Sequence, residues 1–150
     1  MYRKILVAID DSPTAEKALA EAIALARAEQ AELCIAHAAD EGLLAQHGMG
    51  LGSYINVEQT RAAIRQAADE LLANARRTAE TAGLAATVMV LEATDKRVAE
   101  LIADGAEACG ADLIVIGTHG RRGVARLLVG SVAENLVRLA RTSLLLVRQA

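Results

Sequence analysis

A chain of 150 residues and 15.7 kDa is the size of one domain, long enough to bury a core without disulfide or metal staples. A hydrophobic share of 53% and a mean hydropathy of +0.27 exclude a disordered chain, and no apolar run reaches the roughly 18 residues of a membrane span. A net charge of −3 gives no attraction to nucleic acid or acidic lipid, and with no Trp or Phe only Tyr2 and Tyr54 are left as rings on which bases could stack.

The opening MYRKILVAID is unlike a signal peptide, so a soluble, cytoplasmic protein is expected. Lys4–Asp10 is a short run of branched aliphatics ending in an acid, which suits a strand buried on both faces of a parallel sheet. Ser12 offers an N-cap with Pro13 at the first helical position, and Ala15, Leu19, Ala22, Ile23 and Ala26 carry a helix to about Glu29. Glu32–Ala38 is the second strand. Ala39–Asn56, with four glycines, is too long for an ordinary connection and reads as a lid or a mobile insertion.

A long helix follows from about Val57 to Ala82, stopped by Gly83. Ala86–Glu92 is the third strand, and Thr94 or Asp95 caps a helix that Gly110 closes. Asp112–Thr118 is the fourth strand, Ser131 to about Ala140 the last helix, and Ser143–Arg148 the last strand. Helical crossovers between strands predict one doubly wound α/β domain with a mostly parallel sheet. Cys34 and Cys109, far apart and outside any CxxC, read as small buried hydrophobes in a reducing compartment.

In such a sheet, ligands bind outside the carboxyl ends of the strands, where the strand order reverses. The end of the first strand and the turn after the fourth are expected to meet there. That turn reads Gly117-Thr118-His119-Gly120, nine residues, then Gly130-Ser131. Gly117 and Gly120 let the backbone approach a ligand or take positive φ, and Ser131 with Glu134 forms an S-x-x-E capping box. A helix start behind a glycine offers free N–H groups and a partial positive charge to an anion. The same features also serve as plain structure in domains that bind nothing. Arg121, Arg122 and Arg126 add positive charge to the intervening loop, where solvation alone also accounts for them.

The full G-x2-G-x9-G-S pattern in strand–loop–helix context resembles the nucleotide-binding signature of the universal stress protein family. The opening KILVAIDDSPTAEKAL and the stretch from Ala111 to Arg148 resemble that family's ends. The resemblance implies an adenine nucleotide alpha hydrolase-like fold of strand order 3-2-1-4-5, a homodimer, and the branch that binds ATP, with Mg²⁺ or Mn²⁺ as possible companions. It implies that Asp10 contacts the adenosine, with Ala8 and Ile9 beside it, that Ala38 lies against adenine, and that Ile116 and Gly117 border base and ribose. Gly120, Gly130, Ser131 and Val132 would bind phosphates, with His119 and Arg121 adjacent. Ala133 departs from the pattern, since many ATP-binding members carry Thr or Ser there.

Of the two acids, Asp11 is expected to cap the first helix and Asp10 to serve the ligand. His37 reads as a satisfied core histidine, and His47 as a loop residue with no specific role. No glycine follows the first strand, which excludes a G-x-G-x-x-G dinucleotide site, and no P-loop is present. A phosphoacceptor receiver would need Asp after the third strand and Lys after the fifth, where Glu92 and Arg148 stand. A dimeric interaction module without nucleotide is the other alternative. With no positioned base or arginine finger, hydrolysis is expected to be slow or absent. The apolar last strand predicts a homodimer paired through Ser143–Arg148.

Overall fold

Branched aliphatics at successive positions make Lys4–Ala8 (β1) a strand with no polar face, and it occupies the centre of the sheet. The computed structural model describes residues 1–39, 57–93, 95–119 and 129–149. In these, β1 is followed by α1 (Pro13–Glu29), β2 (Glu32–Ala38), α2 (Val57–Thr81), β3 (Ala86–Leu91), α3 (Val98–Cys109), β4 (Leu113–Gly117), α4 (Ser131–Leu139) and β5 (Ser143–Val147). The strands form one sheet of order β3-β2-β1-β4-β5, every pair parallel, as the α/β reading requires.

Alternation along the strands divides the core into two layers. Ile5, Val7, Leu33, Ile35, Leu113 and Val115 pack on one face with α1 and α2. Leu6, Ala8, Ala36, Ile114 and Ile116 pack on the other with α3 and α4. On α1 the buried positions are Thr14, Ala15, Ala18, Leu19, Ala22, Ile23 and Ala26, a stripe dominated by alanine, so the helix backbone lies close against the sheet. Among the described residues, no helix is long and apolar enough to cross a membrane.

The helix ends follow local chemistry. Ser12 caps α1 by accepting the Ala15 N–H at 3.2 Å, with Pro13 at the first position. Gly83 and Gly110 end α2 and α3 in the left-handed region, at φ 81° and 72°. Gln30 does the same for α1 at φ 57°, a conformation that only glycine adopts without steric cost. The start of α3 lies later than expected, with Arg97 as N-cap and Glu100 accepting its N–H at 3.4 Å, because that reciprocal acid is available three residues on. Asp95 therefore stands outside the helix, and Thr94 lies outside the described residues. Cys34 is buried, whereas Cys109 is only half-buried, since it closes the last turn of α3.

At the amino ends of the strands, Asp112 accepts the N–H groups of Arg3 at 2.9 Å and Lys4 at 3.1 Å, tying β1 to β4. These bonds, the Arg3 one foremost, hold the Asp112 carboxyl below its ordinary range. Its stabilising contribution is therefore complete above about pH 4 and is lost as pH falls through the lower folded value. Asp112→Asn is expected to flatten the acid limb of stability below about pH 4 in thermal melts, and an unchanged limb would refute the role.

Candidate functional site

The order β2-β1-β4 places the reversal of strand order between β1 and β4, so their carboxyl ends open a crevice. β1 stops at Ala8, two residues short of the expected end, because the chain turns there. The Ile9 N–H still reaches the Ala36 carbonyl at 2.9 Å, but Asp10 Oδ1 accepts the Ser12 N–H at 2.9 Å and bends the backbone into α1. Asp10 thus makes a local bond at the helix entrance, and the N-cap expected of Asp11 is Ser12.

Ala8 and Ile116 are register partners across β1 and β4, both nearly buried on the α3/α4 face. Ala38 ends β2 and Val132 lies in the first turn of α4, both packed against that same cluster. The three expected aliphatic contacts, Ala8, Ala38 and Ile116, thus share one face at the carboxyl rim, and Val132, expected at the phosphates, packs on it too. Ile9 follows Ala8 at the end of β1. Strand alternation turns its side chain into the α1/α2 layer, so it offers this face only backbone, and its carbonyl is bonded to His37 Nδ1 at 2.7 Å. That bond satisfies the half-buried His37.

Gly117 ends β4, one residue before the expected Thr118, and its small size answers a neighbour on the protein. A Cβ built there would stand 2.6 Å from Thr14 Cγ2 and 3.3 Å from the Thr14 carbonyl carbon, and positive φ is confined to Gln30, Gly83 and Gly110 among the described residues. Thr118, which the sequence reading gave no part in nucleotide binding, is the joint of the crevice. Its N–H bonds the Val147 carbonyl at 2.9 Å, its carbonyl accepts the Gly130 N–H at 2.6 Å, and its hydroxyl lies 3.0 Å from His119 Nδ1. Its burial, 2% exposed, comes from packing that no local motif announces.

The capping box at Ser131 is a correction. The N-cap is Gly130, which has no side chain to accept a bond, and Ser131 is already the first helical residue, its side chain exposed. Glu134 turns outward to pair with Arg138 at 3.2 Å, one turn on. Among the described residues the first turn of α4 therefore has no side-chain cap, and its N–H groups can serve an anionic acceptor. Ala133 is buried just behind this turn. His119 Nε2 is buried and has no hydrogen-bond partner among the described residues. When Thr118 donates to Nδ1, Nε2 carries the hydrogen and is an unsatisfied donor, a state that costs about 1–3 kcal/mol unless an acceptor arrives.

Gly120, Arg121, Arg122, Arg126 and the segment 40–56, which holds His47, lie outside the described residues. Among those described, no group of three His, Cys, Asp or Glu side chains could hold a metal ion. Glu92, where a receiver domain would need its acid, is tied to Arg65 at 3.0 Å. A groove of about 480 Å³ between α2 and β3 is lined by Arg65, Leu72, Arg76, Val88 and Val90 among others, and none of the described candidate residues lines it.

Residues 1–148 match the universal stress protein family. The chain belongs to that family. It is 30% identical to the universal stress protein YxiE of Bacillus subtilis, over 99% of this chain and 100% of that one. A universal stress protein family structure from Burkholderia pseudomallei is 32% identical, covers 97% of this chain and 96% of its own, and superposes with a TM-score of 0.77. The universal stress protein of Archaeoglobus fulgidus in complex with dAMP is 25% identical, with a TM-score of 0.69 and coverage of 97% and 98%. The five-stranded order β3-β2-β1-β4-β5 is thus the sheet of a universal stress protein.

Proposed function

We propose that this universal stress protein binds ATP at the carboxyl ends of β1 and β4 and acts as a regulatory protein in the stress response. The observation that carries the reading is the pairing, among the described residues, of an uncapped α4 start with an unpartnered His119 Nε2, both held beside Thr118. Two kinds of unsatisfied donor converge where phosphate oxygens are good acceptors. The relative from A. fulgidus in complex with dAMP supports an adenine nucleotide as the class. Ala8, Ala38, Ile116 and Val132 supply an aliphatic wall for the base, in keeping with a chain that has no Trp or Phe. Gly117 borders this wall, Asp10 takes the adenosine moiety, and His119, Gly130, Ser131 and the backbone of Val132 and Ala133 take the phosphates, with Gly120 and Arg121 completing the loop. Mg²⁺ or Mn²⁺ would travel on the phosphates. Hydrolysis is slow or absent, and the cytoplasm is the place of action.

Calorimetric titration with ATP tests this directly. Saturable heat is expected, and no heat at millimolar nucleotide would remove the reading. Asp10→Asn keeps an oxygen for the Ser12 N–H while deleting the charge, so it should weaken ATP by about tenfold with a melting temperature close to wild type. A large drop in melting temperature would confine Asp10 to structure.

The homodimer belongs to the same reading. β5 is an edge strand, and Val137, Leu139 and Leu145 in the C-terminal segment are exposed apolar side chains. Pairing of two copies through Ser143–Arg148 would cover that edge, and a monomer at micromolar concentration in sedimentation would rule it out.

A further inference from the structure

β3 is an outer strand of the sheet, and β2 is its one strand neighbour among the described residues. Its sequence, ATVMVL, has no charge, proline or glycine, the devices that usually blunt an edge, and Val88 is 38% exposed. The Leu91 carbonyl accepts the Ala39 N–H at 3.0 Å, so Leu91 faces β2. Both polar groups of a strand residue point to one side, and the side alternates along the strand. Thr87 and Met89 therefore face β2 as well, whereas Val88 and Val90 turn their N–H and C=O groups outward. The side chains of Val88 and Val90 line the groove under α2, where Leu72 and Ala73 stand opposite them.

The rim of this groove is unevenly charged. Arg65, Arg76 and Arg77 meet Asp69 and Glu80 there. Asp69 is held by Arg65 at 3.3 Å and Glu80 by Arg76 at 3.0 Å, whereas Arg77 bonds the neutral Asn74 side-chain oxygen. The rim thus has a cationic excess on a chain whose net charge is −3. A twofold pairing of two copies along β3 would set that excess against itself, while an acidic segment complements it. Arg65 also reaches Glu92 at 3.0 Å, which fixes it at the carboxyl end of β3. Twelve positions of α2 separate it from Arg77, about 18 Å at about 1.5 Å per residue, a span that about six extended residues fill.

We propose that β3 is a docking edge for an extended acidic segment of a partner protein, which adds a strand to the sheet. The segment's backbone bonds the outward groups of Val88 and Val90, its apolar side chains cover Val88 and Leu72, and a carboxylate pairs with Arg77. This edge lies at the far side of the sheet from β5, and the groove shares no described residue with the crevice at β1 and β4. Docking here needs neither nucleotide nor a second copy of the chain.

Fluorescence anisotropy with a labelled Glu-Thr-Val-Thr-Val-Thr-Glu peptide tests this, since alternation puts its glutamates and valines on the groove side in either strand direction. Saturable binding is expected, weakened at least tenfold when lysine replaces both glutamates, and again by Arg77→Glu in the protein. Arg77 is exposed, so that variant should keep the wild-type melting temperature. Val88→Pro removes an outward N–H and no ladder bond to β2, so it should also weaken the peptide at least tenfold, with its fold checked by circular dichroism. No saturation at millimolar peptide overturns the proposal, as does undiminished affinity for the lysine peptide or in the Arg77→Glu protein. Self-association that Val88→Pro abolishes would give the edge to a second copy and overturn it too.

Discussion

Gly130→Val is expected to weaken ATP binding by about 100-fold or more, close to 3 kcal/mol, to the edge of calorimetric detection. The backbone at Gly130, φ −58° and ψ 156°, is open to any residue, so the effect does not come from conformational strain. It comes from space. A Cβ there would stand 2.9 Å from the Thr118 carbonyl oxygen, the same atom that accepts the Gly130 N–H at 2.6 Å. Relief of that clash must move the first turn of α4 away from β4, taking its N–H groups out of register with His119. The fold should survive with a loss of about 1–3 kcal/mol, typical of overpacking. Wild-type affinity in a folded Gly130→Val protein would place the phosphates elsewhere.

The second large effect is on stability. Gly117→Val should cost about 2–3 kcal/mol and lower the melting temperature by roughly 5–10 °C. Thr14 is 3% exposed and β-branched, so its methyl has little room to rotate from the new side chain, and its backbone stands close behind. Combining a smaller Gly117→Ala change with Thr14→Ser should recover part of the loss, a coupling that a double-mutant cycle measures. An additive result would show that the two residues do not press on each other.

These two glycines show where sequence reasoning reached and where it stopped. The elements were legible because their signals are local. Glu32–Ala38 is a strand with the expected bounds, Ser12 and Pro13 start α1, and Gly83 and Gly110 stop their helices. The crowding of Gly117 by Thr14 joins residues far apart in the chain, so the glycine was visible but its reason was not. The S-x-x-E pattern at Ser131 pointed to a capping box, yet Gly130 holds the cap position and Arg138 draws Glu134 outward. Two-residue alternation, which assigns β1, puts the Ile9 and Ala8 side chains on opposite faces, so at the crevice Ile9 offers its backbone. The left-handed Gln30 had no signal, because it is neither Gly nor Asn and is held in place by the chain's entry into β2.

The alanine stripe of α1 carries one more consequence, for how this protein tolerates drift. Elsewhere in the core, trimming a side chain leaves a void, and loss of bulk is the usual injury. Along Ala15, Ala18, Ala22 and Ala26 there is almost nothing to trim, and each added methylene must push helix and sheet apart. In a saturation library, α1 should accept glycine and serine at these positions more readily than leucine or valine, while β1 and β4 show the reverse preference for size.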